Sequence, residues 1–201
     1  MKKSALLRAL GAVGALALVF HLWLKLLDAV EPQLEDESGE EVADVDIFRA
    51  QPGDVLLFNR ATGLNRLITW FTQSPFYHVG IYQGKGCVVE ARPRGVVCRD
   101  LNGPDGDKYF TIISAEKLGG REAGEKALVW AQTQIGDGYD PFNVAAIVLD
   151  RCFSCCVFNA TLPDRWACAE LVASAFEEAG VDLFEEPPAA LVPADFARFL
   201  K

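Results

Sequence analysis

The sequence predicts an α+β fold, with strands grouped in the middle of the chain and helices around them. Three observations predict it. From Gly53 to Ile113, short apolar and aromatic runs alternate with glycine-bearing turns, which is strand patterning. Two later stretches, 121–136 and 166–180, repeat their apolar residues at helical spacing. Apolar residues make up 51% of the 201, enough for a sizeable core in one domain of ordinary size plus extras.

The chain opens on MKKSALLRALGAVGALALVFHLWLKLL. Lys2, Lys3 and Arg8 precede an uncharged run from Ala9 to Leu24. Leu26 and Leu27 carry the apolar surface past Lys25, whose long side chain can snorkel to an interface. The run falls short of the ~20 residues a spanning helix usually needs, and its flanks bring it close. Residues 1–27 are therefore expected to form a hydrophobic helix acting as a transmembrane or signal-anchor segment. The alternative is a cleaved signal peptide, although no clear A-x-A-like site and no lipobox cysteine follow. Basic residues before the run and Asp28, Glu31 and Glu35 after it put the N-terminus in the cytoplasm and the rest of the chain outside. Cleavage would instead leave an exported soluble protein.

Residues 28–46 are acidic; 31–46, EPQLEDESGEEVADVD, carries no aromatic residue, so this stretch reads as a linker. The globular domain is expected to span 47–201. Within it GDVLLF (53–58) reads as a buried strand, and NRLITWFTQ (65–73) as a helix with Leu64, Leu67, Ile68 and Phe71 in register. FYHVGIYQG (76–84) and CVVEA (87–91) read as strands around Gly84-Lys85-Gly86, followed by GVVC (95–98) and YFTII (109–113). REAGEKALVWAQTQIG (121–136) reads as a helix ending at Gly136, WACAELVASAFEEAG (166–180) as another, and Pro193 opens a short last one. NVAAIVLDRCFSCCVF (143–158) is apolar but too short and interrupted for a confident membrane span.

Charge and cysteine usage exclude some functions. A net charge of −9 argues against a nucleic-acid partner, since phosphate backbones call for Lys and Arg. Six cysteines are too few for a disulfide scaffold at this length. Cys152 and Cys155 form one Cys-x-x-Cys, with no second pair and no nearby His to complete a zinc site. No metal and no cofactor are therefore expected. Cys87 and Cys98 flank RPRG on strands that form a hairpin, which makes a disulfide between them conceivable outside the cytosol.

The chemistry-bearing residues are few. Cys168 lies on the apolar stripe of its helix with Leu171, Val172, Ala175, Phe176 and Ala179, in the first turn, and Asp164 is the expected N-cap. By position alone a small core cysteine outweighs a nucleophile. Yet a thiolate at a helix start is stabilised by the macrodipole and free N–H groups, and those groups can hold an oxyanion. His78 is one of two histidines, and the other, His21, is in the N-terminal run. A nucleophilic cysteine needs a base, and the base needs a group to orient its ring. Glu90 sits between Val89 and Ala91, and carboxylates rarely occupy such strands unpaired. A three-residue loop Gln83-Gly84-Lys85 with Tyr82 opposite Gly86 would set His78 directly opposite Glu90, whereas a two-residue loop would put them on opposite faces.

GDVLLF, SPFYHVGIYQG, VVEA and WACAELVASAF together resemble the circularly permuted papain-like enzymes of the NlpC superfamily, and within it the bacterial permuted amidase-like, lipoprotein-like group. The likeness runs from about Gly53 to Phe199. It implies an antiparallel sheet with the nucleophile on a packed helix, preceded here by the N-terminal hydrophobic helix. It also implies a cysteine hydrolase whose base histidine precedes its nucleophile. Position by position, Cys168 resembles the nucleophile, His78 the base and Glu90 the orienting residue. Asp54 matches a structural position, and Tyr139 and Asp140 match a cleft-lining segment. The implied reaction is hydrolysis of an amide bond, of a cell-wall peptide for instance, through a thioester. A lipid acyl hydrolase or acyltransferase, resembling the lecithin–retinol acyltransferase-like group, is the alternative, and a non-catalytic binding module on the same fold is a third. The expected partners are thus a peptide or lipid substrate and the membrane. The stretch 143–162 is more apolar than the resemblance leads one to expect, and reads either as a lid or wall or as an ordinary buried element.

Overall fold

The elements that position the site are five strands and two long helices. The strands are β1 (Val55–Phe58), β2 (His78–Gly84), β3 (Cys87–Arg92), β4 (Gly95–Asp100) and β5 (Phe110–Ile113). They form one antiparallel sheet in the order β4-β3-β2-β1-β5. Helix α1 (Asn65–Thr72) joins β1 to β2, α2 (Arg121–Thr133) follows β5, and α3 (Cys168–Glu178) comes after a short parallel pair, β6 (Gly138–Tyr139) and β7 (Arg165–Trp166). The computed structural model describes residues 49–61, 65–103, 109–140 and 162–200, all within one compact unit. The α+β class is as the sequence predicts.

Strand alternation divides the apolar residues between the sheet's two faces. Val55, Leu57, Val79, Ile81, Val89 and Ala91 meet Ala127 and Leu128 of α2 and Leu171, Val172 and Phe176 of α3. Leu56, Phe58, Tyr82, Val88 and Phe110 form a second cluster from the opposite faces of the same strands. Asp54 anchors the start of β1. Its carboxylate accepts from the backbone N–H groups of Gln51 and Ala115, at 2.8 and 2.9 Å, and pairs with Arg121 at 2.9 Å. Asp54 thus ties β1 to the chain on either side of the sheet.

The β2–β3 hairpin corrects one sequence expectation. The connection is a two-residue turn, Lys85-Gly86, with Gly84 paired to Cys87. Both turn residues take positive φ, 54° and 77°, the type I′ geometry that follows the natural strand twist. By itself this turn would send His78 and Glu90 to opposite faces. A bulge between Tyr82 and Gly84 shifts the register by one, so that Tyr82 pairs with Val88 and Ile81 with Val89. Continued along the strand, that register sets Glu90 beside Gly80, and Arg92 opposite His78. Glu90 therefore lies diagonally across from His78, not directly opposite, and on the same face.

Element ends differ from expectation where pairing competes with local signals. The last long helix starts at Cys168, because Arg165 and Trp166 are drawn into β7. Asp164 is not its N-cap: it has φ 56° and its carbonyl accepts from Gly138 N–H at 2.9 Å. Ala167 occupies the cap position, and Glu170 reaches back to its N–H at 3.2 Å, half of a capping box. Helix α2 stops at Thr133, and Gly136, at φ 104°, turns the chain to bond Val96. The Pro193 segment is a 3₁₀ helix through Leu200. The N-terminal apolar run, the acidic linker and residues 143–161 lie outside the described residues. Among the described residues no helix is long and apolar enough to cross a membrane.

Candidate active site

His78 is the first residue of β2 and Cys168 the first of α3, and α3 is laid across β2 and β3. The helix start thus meets the strand start. Cys168 lies within electrostatic reach of the imidazole and helps to hold its proton. His78 Nε2 lies 2.9 Å from Glu90 Oε2, and Glu90 is fully buried. Phe58 and Tyr77 flank the imidazole, with ring centroids 5.5 and 6.1 Å away, and leave the His78 side chain 14% exposed.

The carboxylate has partners that sequence reasoning missed. Arg99 on β4 donates from Nη2 to Oε2 at 3.0 Å and from Nε to Oε1, a forked grip on both oxygens. Its guanidinium also lies over the Phe58 ring at 5.2 Å. Arg92, more exposed, adds a contact to Oε1 at 3.4 Å. A signal for Arg99 existed. A strand carboxylate requires a cation, and Arg99 pairs with Val88, which puts it on the face of Glu90. Gly80 makes the diagonal reach possible. A Cβ there would stand 3.1 Å from Glu90 Cβ and 2.7 Å from Val88 Cγ2.

These contacts set the charges. Burial alone would drive His78 towards neutrality, but the negative charge of Glu90 and the Cys168 sulfur outweigh it and raise the imidazole to about 10. Burial would likewise favour a protonated Glu90, and His78 and Arg99 outweigh it, holding the carboxyl at about 2. The arrangement therefore favours an imidazolium on an ionised carboxylate. Tyr139 joins it from β6. Its phenol is pushed up by burial first, then by Cys168 and Asp140, and so stays protonated as a donor close to the sulfur. Asp140 is buried and accepts from Leu162 N–H at 3.3 Å.

Among the described residues no group of three or more His, Cys, Asp or Glu is arranged to hold a metal ion. A cavity of 820 Å³ lined by Tyr82, Gln83, Lys85, Cys87 and Asn102 lies at the turn end of β2, away from His78. Comparison with protein-family models finds no match, and comparison with curated proteins finds none.

Proposed function

We propose that the protein is a thiol hydrolase on a circularly permuted papain-like fold, with Cys168 as nucleophile, His78 as base and Glu90 as orienting carboxylate. One observation carries the reading: the one histidine among the described residues lies 2.9 Å from the buried Glu90 carboxylate and within electrostatic reach of Cys168 at the start of α3. Because Nε2 is taken by the carboxylate, Nδ1 is the nitrogen that serves the sulfur. His78, as base, holds the proton of Cys168 in a thiolate–imidazolium pair, and the thiolate attacks an amide carbonyl. The oxyanion is met by the Cys168 N–H, one of the first-turn groups without an intrahelical acceptor, and the Tyr139 hydroxyl supplies a second donor. His78 then protonates the leaving amine, and water attacks the thioester to release the acid and free the sulfur. Glu90, pinned by Arg99, keeps the ring oriented and stabilises its charged form without taking the proton.

The substrate class proposed first is an amide, in keeping with the amidase-like resemblance. A lipid acyl ester is the second reading, and a specific observation favours it. Chain 59–77, which leaves the sheet at Phe58 and returns at His78, carries Arg60 and Arg66 and no acidic residue. Trp70 in it is 62% exposed. An aromatic and basic rim of this kind suits lipid head groups.

The test is a cysteine-directed acylating probe read by intact mass and peptide mapping. One adduct at Cys168, lost in Cys168→Ala and strongly slowed in His78→Ala, is expected. An unmodified Cys168 in folded protein would sink the enzyme reading and leave a binding module. A panel of peptides and phospholipids then separates amidase from lipid hydrolase.

A further inference from the structure

Outside the candidate site, two thiols lie on one face of the outer hairpin of the sheet. Cys87 and Cys98 are both free. In the β3–β4 ladder Cys87 pairs with Asp100 and Val89 with Cys98, so the two cysteines lie on one face as diagonal neighbours. Cys98 Sγ donates to Gln83 Oε1 at 3.3 Å. Its thiol is pushed up to about 11, by burial first and then by the neighbouring Cys87. Two thiols on one face of paired strands, as diagonal neighbours, are within reach of one another once the strands shift slightly.

We propose that Cys87 and Cys98 form an oxidisable dithiol, which closes to a disulfide that clamps β3 to β4. The oxidant is a second disulfide, of a small thiol or of a protein. One cysteine thiolate attacks it, releasing one thiol and leaving a mixed disulfide on the chain. The other cysteine displaces the second thiol and forms the Cys87–Cys98 bond. Two protein thiols are oxidised, one disulfide is reduced to two thiols, and protons balance. Diagonal Cα atoms on paired strands stand at about 7 Å, the outer limit for a disulfide, so closure draws the strands together. β4 can give, because it is an edge strand whose Cys98 and Asp100 are exposed. The ring closed spans Glu90, and Arg99 follows Cys98 directly. The clamp therefore fastens the two strands that hold the carboxylate–guanidinium pair, whatever chemistry Cys168 performs.

The full chain is incubated with oxidised glutathione, alkylated with iodoacetamide and digested with trypsin. Cleavage after Arg94 puts the two cysteines on separate peptides. A linked peptide pair that dithiothreitol reverses is expected, together with a rise in melting temperature that Cys98→Ser and Cys87→Ser both lack while keeping the same far-UV spectrum. Recovery of both cysteines alkylated, a glutathione adduct that never closes, or linkage to Cys152, Cys155 or Cys156 instead would overturn the proposal.

Discussion

Glu90 is the residue on which the site turns. A carboxylate buried on a strand is tolerated because His78 and Arg99 share its two oxygens, and removing one partner leaves a charge in an apolar sheet. Arg99→Met is expected to cost about 3–5 kcal/mol, and Glu90→Gln combined with Arg99→Met to recover much of that, as read by chemical unfolding. An Arg99→Met protein as stable as the parent would show that the pair contributes nothing to folding. The same pair sets a pH window. Glu90 falls from its ordinary 4.5 to about 2 on folding, so its contribution is complete above 4.5 and is lost as pH falls through about 2. His78 rises from 6.5 to about 10, so its contribution is complete below 6.5 and is lost as pH climbs through about 10. The two describe one interaction and are not added. Melting temperature should be flat between these limits and decline on either side, and Glu90→Gln should flatten both declines. In the proposed reaction Glu90 orients the ring and transfers no proton, so Glu90→Gln should slow turnover without abolishing it.

At the scale of the element, the β2–β3 hairpin decides whether the site exists. The two-residue turn gives the wrong face, and the Gln83 bulge corrects it. Deleting Gln83 keeps the turn and shifts every earlier β2 side chain to the other face, Val79 and Ile81 included. No cooperative melt is expected from that variant. Gln83→Ala keeps the bulged backbone and gives up only the bonds from Gln132 and Cys98, about 0.5–1.5 kcal/mol each. A cooperatively folded deletion variant would mean that the register is held by something other than the bulge. Gly80→Ala probes the diagonal. Its Cβ would press on Val88, on the Val89 carbonyl at 2.9 Å and on Glu90. It should destabilise by about 1–3 kcal/mol and lower Cys168 labelling.

For the whole molecule the open matter is what the site meets, and that follows from the expected N-terminal insertion. Basic residues stand before the apolar run and acids after it, so the domain is expected outside the membrane. Protease added to intact spheroplasts should digest the domain. Protection until lysis would reverse the orientation and move the substrates into the cytosol. A mature chain beginning near Glu31 would point to a cleaved signal and a soluble exported hydrolase.

Much of this was legible in the sequence, and the division has a physical cause. Local pattern determined the five strands of the sheet and the main helices, and marked Glu90 as a carboxylate in need of a partner. Side-chain alternation has a period of two, and a buried carboxylate demands a partner on its own face. The α+β class followed from the order of those patterns. The rest required chain segments far apart in sequence to meet. The bulge that rescues the His78–Glu90 face is a compromise between turn geometry and the apolar faces of β2 and β3. The grip of Arg99 depends on β4 joining β3 as the edge strand. Asp164 has the chemistry of a cap and is not one, because β6 and β7 pair and hold the chain extended until Ala167. The start of α3 beside the start of β2 brings Cys168 to His78 across some ninety residues of chain. Only burial of the α3 apolar stripe against the sheet decides that meeting, since no local preference of either segment encodes it.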